Sequence, residues 1–188
     1  MRTLKLQMQI SADGFIASPE GKLDWITWNW DQGIKDHVSA LTEPVDCILL
    51  GRNVAEGFIP HWTALAQNPE TAGEELAFAR KMADTPKVVF SRTLDQSKWD
   101  NTQIAGGALD DEIARLKQQD GGDIIVYGGG ELVSSLIGQG LIDELNLFVN
   151  PTAIGEGMSI FRDRTGLKLR QSKAFDCGIV LLQYEPLR

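Results

Sequence analysis

Three short stretches of this chain carry residue types that hold phosphate. Cys47-Ile48-Leu49-Leu50 is ended by Gly51-Arg52, Lys87-Val88-Val89-Phe90 by Ser91-Arg92, and Ile124-Ile125-Val126-Tyr127 by Gly128-Gly129-Gly130. Glycine lets backbone approach an anion closely, and the N–H groups that open a following helix point at it. Arginine adds a planar fork that grips phosphate oxygens through two hydrogen bonds. Each signal also has an ordinary reading, since Gly-Arg and Ser-Arg commonly mark turns; the triple glycine is the most telling of the three. These glycines do not form Gly-x-Gly-x-x-Gly, because the third would fall at Val133, and no Gly-Lys-Ser/Thr occurs, which weighs against kinase and ATPase readings. A second constellation is acidic. Asp24, Asp31 and Asp36 flank Trp25, Trp28 and Trp30, and an aromatic wall raises a carboxyl pKa by desolvation, as a proton donor near neutral pH requires. The ordinary reading is solvated loop acids beside packed tryptophans. His37 and His61 have no partner ligand at i+3 or i+4 and read as a helix-surface and a loop residue. There is no Gly-x-Ser-x-Gly elbow.

The elements that must position these residues follow from periodicity. Leu4, Leu6, Met8 and Ile10 alternate with polar residues as in a strand, which runs into the turn Ser11-Ala12-Asp13-Gly14. Ile34, Val38 and Leu41 mark a helix from Gly33 to just before Pro44. The three apolar runs read as strands buried on both faces. Helices are expected over about Thr71 to Ala83, around Leu109, Ile113 and Leu116, and over about Glu131 to Ile137. Leu145, Leu147 and Val149 form a strand, and Leu167 to Lys173 and Ile179 to Tyr184 an antiparallel pair. Strand–helix alternation followed by a strand-only tail predicts an α/β fold in one domain over residues 1–188, its sheet mostly parallel with antiparallel C-terminal strands. Ligands of such sheets bind at the carboxyl ends of the strands, where all three phosphate signals fall.

Composition narrows the function. The chain has 188 residues, 26 acidic against 18 basic side chains and a formal net charge of -8. That balance argues against nucleic-acid binding. No apolar stretch approaches the roughly 18 to 20 residues of a membrane span, and polar residues interrupt the start of the chain, unlike a signal peptide. Cys47 and Cys177 lie in separate strand-like runs and read as reduced, buried thiols. A cytoplasmic protein acting on a small molecule, without metal, is expected.

Taken in order, Ser11-Ala12-Asp13-Gly14-Phe15-Ile16-Ala17, Leu49-Leu50-Gly51-Arg52 with Glu56, Val89-Phe90-Ser91-Arg92 and Val126-Tyr127-Gly128-Gly129-Gly130 resemble the dihydrofolate-reductase fold. Gly21 to Trp25 and Leu141 to Leu145 make the chain more similar to the C-terminal reductase domain of the bifunctional riboflavin-biosynthesis deaminase/reductase. The resemblance implies a three-layer α/β/α fold, NADPH as hydride donor, and a homodimer. By position, Gly51, Arg52, Asn53, Val54, Ser91 and Arg92 would face the 2′-phosphate and neighbouring phosphates. Gly128, Gly129, Gly130, Glu131 and Leu132 would cradle the pyrophosphate, and Ile16 and Ala17 would lie near the nicotinamide. Asp31, Asp36 or bound water would deliver the proton. The implied reaction is hydride transfer to a C=N or C=O of a small heterocyclic or ribosyl substrate, an aminopyrimidine of the riboflavin type first. The alternatives are a dihydrofolate or pterin reductase and a non-catalytic NADP(H)-binding module. This chain departs from the pattern at Val54, where the family often has Thr, and in lacking the His-x-Glu and Cys-x-x-Cys of the deaminase half.

Overall fold

The computed structural model describes residues 1–187. Eight strands form one sheet: β1 (Leu4–Ile10), β2 (Val45–Gly51), β3 (Lys87–Phe90), β4 (Thr102–Ala105), β5 (Asp123–Gly128), β6 (Glu144–Val149), β7 (Leu167–Ala174) and β8 (Val180–Pro186). Their order is β4-β3-β2-β5-β1-β6-β8-β7. The first six run parallel, and β8 is antiparallel to both β6 and β7. Five helices join them: α1 (Gln32–Thr42), α2 (Arg52–Gln67), α3 (Gly73–Asp84), α4 (Leu109–Gln118) and α5 (Gly130–Gly138).

The apolar runs in β2, β3 and β5 (47–50, 88–90 and 124–127) are continuous because helices cover both faces of these strands, whereas β1 alternates. On one face Leu6, Leu49, Ile124 and Leu145 pack with Ile113 and Leu116 of α4 and Val133 and Leu136 of α5. On the other, Ile48, Leu50, Val89 and Ile125 meet Ala55 and Ile59 of α2 and Met82 of α3, while Phe148 and Leu181 meet Ile34 and Val38 of α1. The expected three layers result. Right-handed crossovers decide which helix lies where. The chain leaves β2 toward β3 through α2 on one face, and leaves β5 toward β6 through α5 on the other. Strands β2 and β5 are neighbours, so their connections part in opposite directions and open a crevice between them, the usual ligand position in such sheets.

Several expectations change. Helix α2 was not foreseen, nor was the short edge strand β4. His61 therefore lies on a helix, still exposed, rather than in a loop. His37 is half-buried: its ring packs 6.2 Å from Phe148 and 6.1 Å from Phe175, and its Nε2 is buried without a partner. Burial holds its pKa below the ordinary value, as does the nearby Lys173 charge. Cys47 is buried and Cys177 half-buried in the β7–β8 turn; both are free thiols. None of the helices is long and apolar enough to cross a membrane, among the described residues.

Candidate functional site

The carboxyl ends of β3, β2 and β5 lie side by side. Register pairs Phe90 with Gly51, and Leu50 with Gly128. Ser91-Arg92, Arg52 and Gly129-Gly130 therefore all leave the sheet at one level, on strands spaced about 4.8 Å apart. The approach between β2 and β5 is close enough to require glycine. A Cβ on Gly51 would lie 2.9 Å from the Gly129 backbone nitrogen. Gly128 has φ +138°, a conformation that side chains on Cβ disfavour. Val54 forms the floor, with its Cγ2 3.3 Å and 3.5 Å from where Cβ atoms on Gly128 and Gly129 would be, and Ile16 Cδ1 lies 2.9 Å from that position on Gly130.

Two helices open into this space uncapped. The N-caps of α2 and α5 are Gly51 and Gly129, and neither helix has a side-chain cap. The first amides of each, from Arg52, Asn53 and Val54 and from Gly130, Glu131 and Leu132, lack intrahelical partners, because a helix bonds each N–H four residues back. Together with the helix dipoles they favour an anion. Arg52 and Arg92 are exposed and form no ion pair among the described residues. Ser91 Oγ accepts from the amides of Thr93 (3.1 Å) and Leu94 (3.0 Å), shaping the turn that presents Arg92. Glu131 is paired with Arg162 at 2.5 Å, which offsets its charge beside the cradle. The residues present fit a dinucleotide: bare glycine backbone, two sets of open amides and two uncommitted guanidinium groups.

The loop after β1 borders the same space and is stitched to the loop after β6. Ile16 N donates to Met158 O (2.8 Å), Met158 N to Ala17 O (2.9 Å) and Ala12 N to Thr152 O (2.8 Å). Asp13, read from sequence only as a turn residue, is the clamp. Its carboxylate accepts from Ser11 Oγ (2.6 Å), Gly155 N (2.7 Å) and Ile154 N (3.1 Å), and these bonds hold its pKa below the ordinary value. Ile16 and Ala17 are buried between the two loops. Trp25 is buried as well, with Nε1 unpartnered.

The two acids expected to donate protons have other tasks. Asp31 caps α1: Oδ1 accepts from Ile34 N (2.9 Å), and Oδ2 accepts from Cys177 N (2.8 Å), tying α1 to the β7–β8 turn. Those backbone donors hold its carboxyl below the usual range. Asp36 sits on the exposed side of α1 and accepts from Gln32 Nε2 at 2.7 Å. Neither acid hydrogen-bonds to a cradle residue, and sequence proximity to the tryptophans was a poor guide to their environment.

The arrangement is that of an α/β sheet whose switch point is flanked by two uncapped helix N-termini and two exposed arginines. The chain belongs to the RibD C-terminal domain family, which it matches over residues 2–181. It is 33% identical over 97% of its length, and 94% of the relative's, to YyaP of Bacillus subtilis (strain 168), a protein described as uncharacterized. It is 30% identical over 84% of its length to the riboflavin biosynthesis protein RibD of Corynebacterium ammoniagenes, but spans only 45% of that protein. Among solved structures it is similar to a riboflavin biosynthesis protein from Shewanella sp. PV-4, with TM-score 0.73 and 24% identity over 100% of both chains. A deaminase/reductase from Thermotoga maritima shares the fold at TM-score 0.69 and 17% identity, covering 99% of this chain and 57% of that one.

Proposed function

We propose that this protein is an NADPH-dependent reductase that delivers hydride to a C=N or C=O carbon of a small heterocyclic or ribosyl substrate. The observation that carries the reading is the convergence of Gly51-Arg52, Ser91-Arg92 and Gly128–Gly130 at one level of the sheet beside two uncapped helix N-termini. Arg52 and Arg92 would hold the 2′-phosphate, the open amides of α2 and α5 the pyrophosphate, and Ile16 and Ala17 one side of the nicotinamide. NADPH, when bound, supplies the hydride. The protein's share is orientation, exclusion of water by the buried Ile16 and Trp25, and local positive charge on a chain of net charge -8. Asp31, Asp36 or bound water would deliver the proton that completes the reduction at the substrate nitrogen or oxygen.

Family membership and the name of the Corynebacterium relative support a riboflavin-type aminopyrimidine as the first substrate to try, and a pterin as the second. The structural duties of Asp31 and the hydroxyl missing at Val54 favour one further reading, a protein that binds NADPH without turning it over. We also take the protein to be a cytoplasmic homodimer; β7, exposed along nearly its whole length at the sheet edge, supports pairing with a second copy. Titration with NADPH, read by energy transfer from tryptophan to the nicotinamide, followed by loss of 340 nm absorbance on adding substrate, tests the proposal. Binding with turnover fits the reductase, binding alone fits the second reading, and no binding at submillimolar NADPH refutes both.

A further inference from the structure

Strands β6 and β7 are each antiparallel to β8, so the connection between them must run back past α5. Three attachments hold its second half. Phe161 packs against the core that Val133 and Leu136 of α5 share, Arg162 is paired with Glu131 in the first turn of α5, and Gly166 O accepts from Leu187 N at 2.9 Å. Between the last two attachments a cavity of about 240 Å³ separates the connection from the second half of α5. Ser134, Ser135 and Gln139 line it from the helix side, and Arg162, Asp163 and Thr165 from the other. Six of its eight lining residues therefore carry polar side chains, which suits a polar occupant. Gly138 completes the helix side, where a Cβ would meet no atom within 4 Å. One hydroxyl in this wall lacks a partner. Ser135 Oγ donates to Glu131 O, four residues back, at 2.8 Å, the usual bond of a serine inside a helix. Ser134 is 6% exposed, and its Oγ is buried with no partner at all. An unpaired buried hydroxyl costs stability that alanine would not, so folding alone gives no reason for it.

We propose that this cavity is a second ligand site, for a neutral polyhydroxylated molecule of the size of a pentitol. None of the cradle residues lines it, and the inference does not depend on the cofactor reading. Its wall is mixed in sign, with Arg162 against Asp163 and the C-terminal, negative end of the α5 dipole beside them. A free anion meets Asp163 and the helix end, and a free cation meets the Arg162 guanidinium. A hydroxyl meets neither penalty, because it donates to the Asp163 carboxylate and to serine and threonine oxygens and accepts from Arg162 and Gln139. Ser134 gains from such an occupant the partner that the fold withholds. Size selects further. Pockets for drug-sized ligands hold about 300–1,000 Å³, so this smaller space suits a five-carbon chain or ring rather than a nucleoside.

Ribitol is the probe. Amide chemical shifts of the isotope-labelled protein should move at Ser134 to Gln139 and at Arg162 to Thr165 during titration, and saturate with Kd of about 1–10 mM. Glycerol, inorganic phosphate and ammonium over the same range should not saturate them. Two variants separate the site from the fold. Ser134→Ala should weaken ribitol about fivefold and raise Tm, since the unpaired hydroxyl is gone. Gly138→Leu adds a side chain where there is open space at the last residue of α5. It should weaken ribitol more than about tenfold with no loss of Tm, leucine being the better helix former. NADPH affinity should match the wild type in both. No saturation below about 50 mM ribitol, an equal response to glycerol, preference for phosphate or ammonium, or unchanged ribitol affinity in either variant would overturn the inference. Ribitol binding without NADPH binding would refute the cofactor reading alone and leave this site standing.

Discussion

Replacing Gly51 by alanine should damage the cradle more than the same change at Gly130, although each new methyl would land 2.9 Å from its nearest neighbour. The difference lies in what that neighbour is. At Gly51 it is the backbone nitrogen of Gly129; at Gly130 it is Ile16 Cδ1, the tip of a flexible side chain. Gly51 has φ -75° and ψ 153°, which alanine adopts freely, so the whole effect is steric. Ordinary contact begins near 3.4 Å, so the Gly129 backbone must retreat by about 0.5 Å, an overpacking cost of about 1–3 kcal/mol. On the proposed reading, the retreat also carries the first amides of α5 away from the pyrophosphate they would hold. Losing one hydrogen bond to a charged group costs about 1.5–3 kcal/mol, or about 10- to 100-fold in Kd. Gly130→Ala needs only a rotation of Ile16 and should cost less than about threefold, with Ile16→Val in the same chain removing even that. Urea unfolding gives the stability of each variant, and NADPH titration gives the affinity. Equal affinities for NADPH in Gly51→Ala and the wild type, or a larger loss in Gly130→Ala, would refute the reasoning.

Three further expectations concern other parts of the molecule. Lys87 is 1% exposed and donates to Ala83 O and Thr85 O at 2.7 Å each; burial pushes its pKa down to about 8. Its folded pKa lies below the unfolded one, so the folded state sheds this proton first. Stability relative to Lys87→Met should then rise between pH 8 and about 10.5, by at most about 3 kcal/mol, and a flat or falling difference in urea unfolding would contradict this. Asp31→Ala should lower Tm with NADPH affinity unchanged. Because the Asp31 pKa is depressed, the Tm difference should be full above the ordinary carboxyl pKa and fade as pH falls through the folded value; a difference that persists in acid would count against the capping role. Val54→Thr should tighten NADPH about fivefold, since one new hydrogen bond is worth about 1 kcal/mol, and unchanged or weaker binding would show that this side chain does not face the cofactor.

Most of the architecture was legible because burial on both faces leaves continuous apolar runs. Ile48-Leu49-Leu50, Val88-Val89 and Ile124-Ile125-Val126 announce β2, β3 and β5, and the glycines and arginines that end them announce the rim. Helix α2 was hidden by Gly57 and by Pro60 in its interior, which has no N–H for the carbonyl of Glu56. Tertiary packing of Ala55 and Ile59 overrides both. Strand β4 is four residues long and gains its form from pairing with β3 alone. At the site, residue types were readable and distances were not. That Gly51 meets Gly129 depends on β2 lying beside β5, a pairing no local pattern encodes. Asp13 and Asp31 illustrate the same point from the other side: an acid beside a turn or before a helix looks like any other until the amides that it accepts from, at Gly155 or Cys177, arrive from far along the chain. A Ser-x-Asp-Gly turn and an acid three residues before Ile34 were the available signals, and both fit capping better than catalysis.

The central claim is that Arg52 and Arg92 reach one anionic cofactor together with the glycine bend. Calorimetric titration of NADPH and NADH into the wild type, Arg52→Gln and Arg92→Gln tests it most directly. Preference for NADPH in the wild type should collapse in both variants, with NADPH weakened at least about tenfold and NADH nearly unchanged. Variants that keep the wild-type preference, or that weaken both cofactors alike, would show that the two guanidinium groups do not share a phosphate, and the cradle would not be the cofactor site.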